Sequence, residues 1–558
     1  MTRTARGTLL LPLLLAACAP AGPAATPPPA AAPPVWSPDA GPGRYRNPVV
    51  FADYSDPDVV RVGDDFYMTS SSFGNFPGLP ILHSRDLVHW TLVGHALRRH
   101  PDPAFDVPQH GNGVWAPSIR YRNGEFMIYY GDPDRGIFLV KTRDPRGEWD
   151  PPVLVKEAKG WIDPAPLWDD DGNAYLVHAF ANSRAGIKSV LHVAPLSPDG
   201  TRVIGEDRMV FDGRANHPTI EGPKFYKRDG WYYIFAPAGG VSTGWQTVLR
   251  SRSVYGPYED RIVLAQGSTD VNGPHQGAWV ELENGESWFL HFHDREAYGR
   301  IVHLQPMAWK DGWPVMGSDP DGDGKGEPVA EYRVPDVGAA HPPRVPQTSD
   351  EFDAPRLGPQ WHWSANPRAE WLSLSERPGS LRLRSQPMPA GAANLWPVPG
   401  LLLQMIPGPE LQATTRLSFA GTAPGETAGL LVLGMDYAYL ALRRTAEGVE
   451  LVQARAVDAH QGSPEQVLAS VPGAPAELFL RVAIENPEGH EAVCRFSYST
   501  DGVRFRPLGE PFTARPGRWV GAKLGLFAVR PAGSPAGGHA DFDHFRLAPV
   551  PASTATAR

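Results

Sequence analysis

Three carboxylate residues, Asp56, Asp163 and Glu221, occupy matching points in a repeated strand unit. Asp56 lies seven residues before the turn glycine of its unit, and the other two each lie nine residues before theirs. Cleavage of a glycosidic bond needs one carboxylic acid to protonate the leaving oxygen and one carboxylate to activate water or attack carbon. A third carboxylate raises the pKa of the acid through like-charge repulsion. The pattern therefore predicts acid/base chemistry on a sugar.

The strands that would position these acids are indicated by five similar segments, each a hydrophobic strand, a polar turn and an aromatic-rich strand. Their turn glycines are Gly63, Gly124, Gly172, Gly230 and Gly285, at intervals of 61, 48, 58 and 55 residues. A third strand follows in each unit. These intervals are somewhat longer than the about 40 to 50 residues of a four-stranded propeller blade, and loops absorb the excess. We predict an all-β fold that begins with a five-bladed β-propeller over residues 45–336.

The same position in the other two units carries Trp115 and His275. If this position starts the innermost strand of every blade, all five side chains converge around the axis at one end. An aspartate before proline is commonly a turn former whose carboxylate caps backbone N–H groups, which is the structural alternative for Asp56 and Asp163. The matching position of the acids in the repeat favours a catalytic role instead. Asp58 points the same way along the pleat as Asp56 and is the main alternative to it.

The stretches that carry these residues resemble glycoside hydrolase family 43 over residues 45–335. They are NPVVFADYSDPDVVRVGDDFYMTSSSFGNFPGLPILHSRDLVHW, GVWAPSIRY, WIDPAPLWDDDGNAYL, TIEGPKFYKRDGWYYIFAPAGG and GPHQGAWVEL. The resemblance implies an inverting hydrolase in which Asp56 is the general base and Glu221 the general acid, while Asp163 orients the acid and tunes its pKa. Inversion predicts base and acid carboxyls about 6.5–9.5 Å apart.

Further residues are candidates for binding the substrate. Trp115, Phe73 and Phe76 would stack on a sugar face, although propeller aromatics more often pack between blades. His275 would contact the sugar or hold a calcium ion at the propeller axis through water, as in some family members; its alternative is a buried histidine with a backbone partner. Arg300 matches an arginine that reaches substrate in related xylosidases. No cofactor is expected to be required, and no residue is predicted to ligate a metal directly.

A second domain follows the linker 337–349. Residues 350–548 alternate strands and turns without the blade period and without helical periodicity, which predicts a two-sheet β-sandwich of the jelly-roll type. Its first residues, DEFDAPRLGPQWHWSANP, resemble the start of the concanavalin-like domain that follows the propeller in many family 43 xylosidases. We expect this domain to support the propeller and to contribute to the pocket rim. Residues 549–558 are expected to be a disordered tail.

The N-terminal sequence predicts the location of the protein. Residues 1–18 contain two arginines, the apolar run LLLPLLLAA and Cys18 at the end of a segment that resembles a bacterial lipobox, so they are interpreted as a lipoprotein signal peptide. Residues 19–44 would then be a Pro/Ala-rich tether. We expect export across the inner membrane and a lipid-anchored periplasmic or cell-surface protein. The alternative is an ordinary secretory signal. With Cys18 acylated, Cys494 would have no disulfide partner.

The net charge and the family resemblance together indicate which class of partner the protein binds. A net charge of −9, without a basic patch interleaved with aromatics, argues against nucleic acid as a partner. The resemblance implies an exo-acting hydrolase that removes terminal β-D-xylose from xylo-oligosaccharides or arabinoxylan fragments, with α-L-arabinofuranose as a second or even the main substrate. Two other classes stay open: a non-catalytic carbohydrate-binding surface lipoprotein, which would not need the three acids, and a retaining five-bladed enzyme acting on fructans.

Overall fold

The computed structural model describes residues 1–2, 33–487, 489, 491–535 and 537–551. Its strands form five four-stranded antiparallel sheets and then two larger sheets. The predicted all-β fold, a five-bladed propeller followed by a sandwich, is therefore confirmed. Both parts belong to one compact unit. In the described part of the chain, no helix has the length and apolar character needed to cross a membrane.

Each propeller blade is a meander whose four strands follow chain order across the sheet. Blade 1 consists of Asp58–Val62, Asp65–Thr69, Gly78–Ser84 and Thr91–Leu97. Blade 2 consists of Trp115–Arg122, Glu125–Asp132, Gly136–Thr142 and Val153–Glu157. Blade 3 consists of Trp161–Trp168, Ala174–Phe180, Val190–Leu196 and Arg208–Asp212. Blade 4 consists of Lys224–Arg228, Trp231–Ala238, Trp245–Ser251 and Glu259–Ala265. Blade 5 consists of His275–Glu281, Ser287–Asp294, Arg300–Lys310 and Trp313–Met316.

The five predicted turn glycines all lie in the hairpin between the first and second strands of a blade. Their φ angles fall between 62° and 86°, a left-handed conformation that glycine adopts without a steric penalty. Because each hairpin favours glycine at this position, the repeat could be recognised from the sequence. The first strands of blades 1 to 4 contact one another in series, and the first strand of blade 5 contacts that of blade 1. The first strand of blade 5 also contacts the second and third strands of blade 4, so the ring is closed, with the first strands innermost.

The sandwich consists of two eight-stranded sheets. One contains, in spatial order, His362–Trp363, Leu402–Met405, Lys523–Arg530, Thr427–Leu433, Tyr437–Arg444, Val449–Ala456 and Gln466–Pro472, with Gln386–Pro387 beside Lys523–Arg530. The other contains Leu372–Ser373, Leu381–Arg384, His539–Ala548, Leu411–Ala420, Glu477–Glu485, Val493–Ser499 and Arg506–Pro507, with Phe512–Thr513 beside Val493–Ser499. Strands such as Leu411–Ala420 alternate buried and partly exposed side chains, so one face of the sheet forms the core.

The remaining described elements are short. Arg44–Arg46 pairs with Glu331–Arg333 in a two-stranded sheet. The helical segments are one α-helical turn, Asn182–Ala185, and four 3₁₀ turns, Pro103–Asp106, Glu296–Tyr298, Ala369–Trp371 and Ala459–Gln461.

The propeller and the sandwich share a hydrophobic core. Phe51 and Tyr298 of the propeller belong to the main buried cluster of the sandwich. The backbones of Phe76 and Trp363 exchange two N–H···O bonds of 3.1 and 2.7 Å across the boundary. Because apolar burial and backbone pairing both cross the boundary, the sandwich fixes the position of the blade 1 loop that carries Phe76.

The end of the predicted tether is packed, which differs from the extended chain expected for all of residues 19–44. The Trp36 ring lies 5.2 Å from that of Phe51, and its Nε1 donates to the Pro48 carbonyl. Val35 and Trp36 supply apolar surface that the preceding Pro/Ala-rich sequence lacks, so this part can be buried. Cys18, most of the tether and residues 552–558 lie outside the described residues.

Candidate active site

The three carboxylates stand at the starts of the innermost strands of blades 1, 3 and 4. Asp56 precedes the strand Asp58–Val62, Asp163 lies at a break in the pairing of Trp161–Trp168, and Glu221 precedes Lys224–Arg228. Asp56 and Asp163 have φ angles of 55° and 57°, which non-glycine residues adopt infrequently. Such backbone strain persists only where the surroundings enforce it, and it clusters at functional sites.

Asp56 is held by a set of hydrogen-bond donors. The hydroxyls of Ser55 and Ser71 donate to its Oδ2 at 2.8 and 2.5 Å. Arg300 Nη1 lies 3.3 Å from Asp56 Oδ1 and 2.7 Å from Ser55 Oγ. Sequence reasoning named Arg300 as a substrate contact and missed both serines. In the structure this guanidinium, in a residue that is only 9 % exposed, orients the Asp56 carboxylate.

Asp163 and Glu221 form an adjacent pair of acids. Burial, followed by the negative charge of Glu221, raises the pKa of Asp163 to about 8, although the Gly222 N–H donates to its Oδ2 at 2.7 Å and opposes the shift. The charge of Asp56 adds to the increase. The shift means that Asp163 holds a proton near neutral pH beside Glu221.

Glu221 is the most accessible of the three acids. Its side chain is 28 % exposed, whereas that of Asp56 is 5 % exposed. His275 Nε2 lies 3.1 Å from Glu221 Oε1, and the imidazole itself is fully buried. The ring has no exposed surface in this structure, and contact of His275 with the sugar or with a calcium ion stays a prediction. The position of the ring orients Glu221 towards the accessible side of the site.

Lys224 is a functional-site residue that sequence reasoning missed. Its fully buried ammonium donates to the Pro117 carbonyl at 3.0 Å. Burial lowers the pKa of Lys224, while the charges of Asp58 and Asp163 oppose this decrease. A buried cation beside the acids offsets part of their mutual repulsion. The residue lies within the IEGPK motif, but only the fold shows which way its side chain points.

Asp58 has a structural environment. Its Oδ2 accepts hydrogen bonds from the Ile119 N–H at 2.8 Å and from Arg120 Nη1 at 2.7 Å, and the residue is fully buried. Both donors belong to the first strand of blade 2. The carboxylate therefore joins the innermost strands of two blades, which removes the main alternative to Asp56.

Aromatic residues from both domains meet at Trp115, at the start of the first strand of blade 2. Trp115 is partly exposed, and its Nε1 donates to the Gly111 carbonyl at 3.0 Å. Trp519, on a loop of the sandwich, presents its ring edge-on at 6.2 Å from Trp115 and is 48 % exposed. The tryptophan pair forms a rim to which the sandwich contributes. Trp519 lies more than 400 residues away in sequence, so no local pattern could have revealed it.

The two predicted phenylalanine contacts are corrected by the structure. Phe76 is fully buried, with its ring edge-on to Phe105 at 5.7 Å and to His100 at 6.0 Å, so it is a core residue. Phe73 is 3 % exposed and packs edge-on against Trp115 at 6.2 Å. It supports the Trp115 indole instead of offering its own face to a sugar. Both phenylalanines lie close in sequence to residues of the site, but the sequence does not show in which direction each ring points.

A protonated Asp163 beside Glu221, together with the separately held carboxylate of Asp56 at the axis of a five-bladed propeller, defines a glycosidase-type site. Residues 45–314 match the model of the glycosyl hydrolases family 43, and residues 349–548 match that of the beta xylosidase C-terminal concanavalin A-like domain. The chain belongs to glycosyl hydrolases family 43 and is a glycosidase.

Individual relatives span nearly the whole chain. A protein from Xylanibacter ruminicola is 39 % identical over 492 residues, which cover 88 % of this chain and 87 % of the relative. A beta-xylosidase of Formosa agariphila is 32 % identical, with 88 % of each chain covered. A non-reducing end alpha-L-arabinofuranosidase of Bacteroides ovatus is 31 % identical over 73 % of this chain and 78 % of the relative. The crystal structure of a xylan beta-1,4-xylosidase from Bacillus halodurans superposes with a TM-score of 0.80 at 27 % identity, covering 90 % of this chain and 99 % of that one.

Proposed function

We propose that the protein is an exo-acting, inverting hydrolase that removes terminal β-D-xylose from xylo-oligosaccharides and arabinoxylan fragments. The observation that carries this proposal is the division between Asp56, which is held by hydroxyl and guanidinium donors, and Asp163, which retains a proton beside Glu221. The named activities of the Formosa and Bacteroides relatives support xylose, with α-L-arabinofuranose as a second terminal sugar.

The chemistry uses one proton donor and one acceptor. Glu221 donates its proton to the glycosidic oxygen as the bond from that oxygen to the anomeric carbon breaks. Asp56 accepts a proton from a water molecule whose oxygen bonds to the same carbon from the opposite face. Asp163 assists by retaining a proton beside Glu221, and His275 holds Glu221 in place. Exchange of protons with solvent then restores the starting state.

The position of the sandwich beside the site supports an exo-acting enzyme, which removes sugars from the end of a chain. The sandwich loop that carries Trp519 stands beside Trp115, and the Gly521 N–H donates to Asp53 in the propeller at 2.8 Å. A second domain fixed against one side of the axis favours a pocket closed at one end over an open cleft. A pocket of this kind admits a terminal sugar, with the leaving group directed towards the more exposed Glu221.

Kinetics with two leaving groups tests the roles of the acids. We expect Asp56→Asn to lose about 10²- to 10⁴-fold in kcat on both nitrophenyl β-xyloside and xylobiose, because water activation is needed for each. We expect Glu221→Gln to lose a similar factor on xylobiose and much less on the nitrophenyl substrate, whose leaving group needs little protonation. The exposed Glu283→Gln is the matched control and should keep full activity.

The same experiment separates the alternatives. Faster turnover of nitrophenyl α-L-arabinofuranoside would make arabinofuranose the main substrate. A wild-type protein that binds xylo-oligosaccharides but hydrolyses none of these compounds would instead be a carbohydrate-binding protein. Equal retention of activity in both acid variants would show that the acids have been misassigned.

Calcium at the propeller axis and the lipid anchor are also proposals. Among the described residues, no cluster of three converging His, Cys, Asp or Glu ligand atoms includes His275. Its buried Nδ1 has no hydrogen-bond partner in the described structure, so it fits a water-mediated contact better than direct ligation. Lipid attachment at Cys18, with a periplasmic or cell-surface location, rests on the sequence alone. Loss of palmitate labelling in Cys18→Ser would support it, and unchanged labelling would contradict it.

A further inference from the structure

We propose that His178, His192 and Asp207 form a binding site for a divalent transition-metal ion such as Zn²⁺ on blade 3. A ring nitrogen from each histidine and a carboxylate oxygen of Asp207 all lie within 4.8 Å of one another. Two imidazoles and one carboxylate are a ligand set that Zn²⁺ takes, commonly with water as the fourth ligand. The site involves none of the three acids of the active site, and the proposal does not depend on the proposed glycosidase reaction.

The blade brings these ligands together on adjacent strands. His178 in Ala174–Phe180 and His192 in Val190–Leu196 are direct cross-strand partners. The β-carbons of such partners lie about 4.5–5.5 Å apart on the same face. Asp207 immediately precedes Arg208–Asp212, which pairs with the His192 strand. The sheet therefore positions all three ligands before any ion binds.

The hydrogen bonding of His178 indicates that a cation belongs between it and Asp207. In the tautomer that carries the ring proton on Nδ1, His178 donates to the Ala179 carbonyl oxygen at 3.3 Å. Its Nε2 therefore presents a lone pair, and this atom lies 3.4 Å from Asp207 Oδ2. Nε2 is buried and makes no hydrogen bond to any described residue. Two acceptors that face each other, the His178 nitrogen being fully buried, need a positive ion or a proton between them.

The surroundings of His178 disfavour the proton. The imidazole is fully buried and stacks on the Trp161 ring with a centroid distance of 3.6 Å. A positively charged imidazolium in this buried position would lose its hydration. The stacking also fixes the ring plane, so the direction of the Nε2 lone pair is set. A metal ion satisfies this atom without requiring a buried imidazolium.

The distances fit a tetrahedral ion after one small adjustment. Ligands about 2.0–2.1 Å from Zn²⁺ are roughly 3.3 Å from each other, which agrees with the 3.4 Å between His178 Nε2 and Asp207 Oδ2. His192 Nδ1 is only 2.5 Å from Asp207 Oδ2 and forms a hydrogen bond there. Binding an ion requires loss of that proton and rotation of Asp207. The side chains of His192 and Asp207 are 20 % and 26 % exposed, so both have room to move and water can reach the ion.

Two other clusters of ligand atoms in the described structure are weaker candidates. Asp436 and Asp458 already pair with Arg515 at 3.0 and 3.2 Å, so a cation is present there. The third cluster consists of three partly or fully exposed aspartates, Asp319, Asp321 and Asp323, and contains no imidazole. The blade 3 site alone combines buried imidazole, carboxylate and an unpartnered nitrogen among these clusters.

The test compares metal binding by full-length wild type, Asp207→Asn and His192→Gln after treatment with EDTA. Titration with ZnCl₂ should show one more bound equivalent in wild type than in either variant, or an affinity reduced at least about tenfold in the variants. Saturating Zn²⁺ should raise the wild-type Tm by about 2 °C or more and should not raise that of the variants. Co²⁺ bound to wild type should give the visible absorption of a tetrahedral site.

Other sites on the chain cannot produce this difference, because both variants retain them. Asp207→Asn and His192→Gln change partly exposed side chains, and melting of the metal-free proteins checks that each variant is folded. If folded wild type and variants bind Zn²⁺ with the same stoichiometry and affinity, the proposal is overturned. The cluster would then be an ion pair between Asp207 and the two histidines.

Discussion

Asp53 of the propeller accepts a hydrogen bond from the backbone N–H of Gly521 in the sandwich at 2.8 Å. The other oxygen of the same carboxylate accepts one from the backbone N–H of Arg300 at 2.9 Å. Arg300 in turn contacts Asp56. Asp53 thereby connects the second domain to the proposed base through two hydrogen bonds and one side chain.

Gly521→Ala should reduce activity through this connection. A β-carbon at residue 521 would lie 2.7 Å from the backbone nitrogen of Gly299, so the two domains must separate locally. Displacement of Arg300 and Asp56 by up to 1 Å should lower kcat by about tenfold or more. Gly94→Ala is the matched control, because its β-carbon would meet nothing within 4 Å. Equal kcat values for the two variants would show that the sandwich does not position the base.

Asp163→Asn should remove a pH dependence of stability. The pKa of Asp163 is raised from 3.8 to about 8 by burial and by the charge of Glu221. Between these pH values the folded protein holds a proton that the unfolded chain has released, so the free energy of unfolding falls as pH rises from about 4 to about 8. The asparagine variant has no such proton, and its Tm should exceed that of wild type at pH 8 by about 2 °C or more.

The same variant should be inactive although it is more stable, which distinguishes a tuned site from a damaged fold. Glu283→Gln, which neutralises an exposed carboxylate, should reproduce the wild-type melting profile. A constant difference in Tm between Asp163→Asn and wild type from pH 4 to pH 8 would contradict the assigned shift.

Trp519→Ala should weaken binding of oligosaccharides. Trp519 is half exposed beside Trp115, where an aromatic face would contact a sugar. Loss of one aromatic contact should raise KM for xylotriose by about 2- to 10-fold, with a smaller change in kcat. Val503→Ala, another exposed position of the sandwich, is the control. An unchanged KM would place the sugar away from this rim.

Asp58→Asn should affect stability far more than the chemical step. The buried Asp58 carboxylate pairs with Arg120 at 2.7 Å, and loss of one charge from a buried pair costs about 3 kcal/mol or more. Asp64→Asn removes a carboxylate from an exposed pair with Arg85, for which we expect about 1 kcal/mol or less. Urea unfolding of both variants measures the difference. If Asp58→Asn were fully stable but inactive, Asp58 would again be a candidate for the general base.

Much of the fold could be predicted because particular positions in it require particular residue types. Gly63 and its four counterparts mark tight hairpins that need a left-handed residue, and the acids could be located relative to them. Residues whose roles depend on side-chain direction could not be predicted. Phe76 points into the core, and the buried His275 contacts Glu221 with no free surface of its own, although both lie in motifs near the site. Lys224 comes near the acids only through closure of the ring, and Trp519 meets Trp115 only through docking of the sandwich.

The most direct test of the central claim is NMR of the sugar first released from nitrophenyl β-xyloside by the wild-type protein. If Asp56 activates a water molecule that attacks opposite the leaving group, α-D-xylose must appear first and then convert to the equilibrium mixture. Initial release of β-D-xylose would show that a carboxylate attacks the sugar directly, and the assignment of Asp56 as a general base would be wrong.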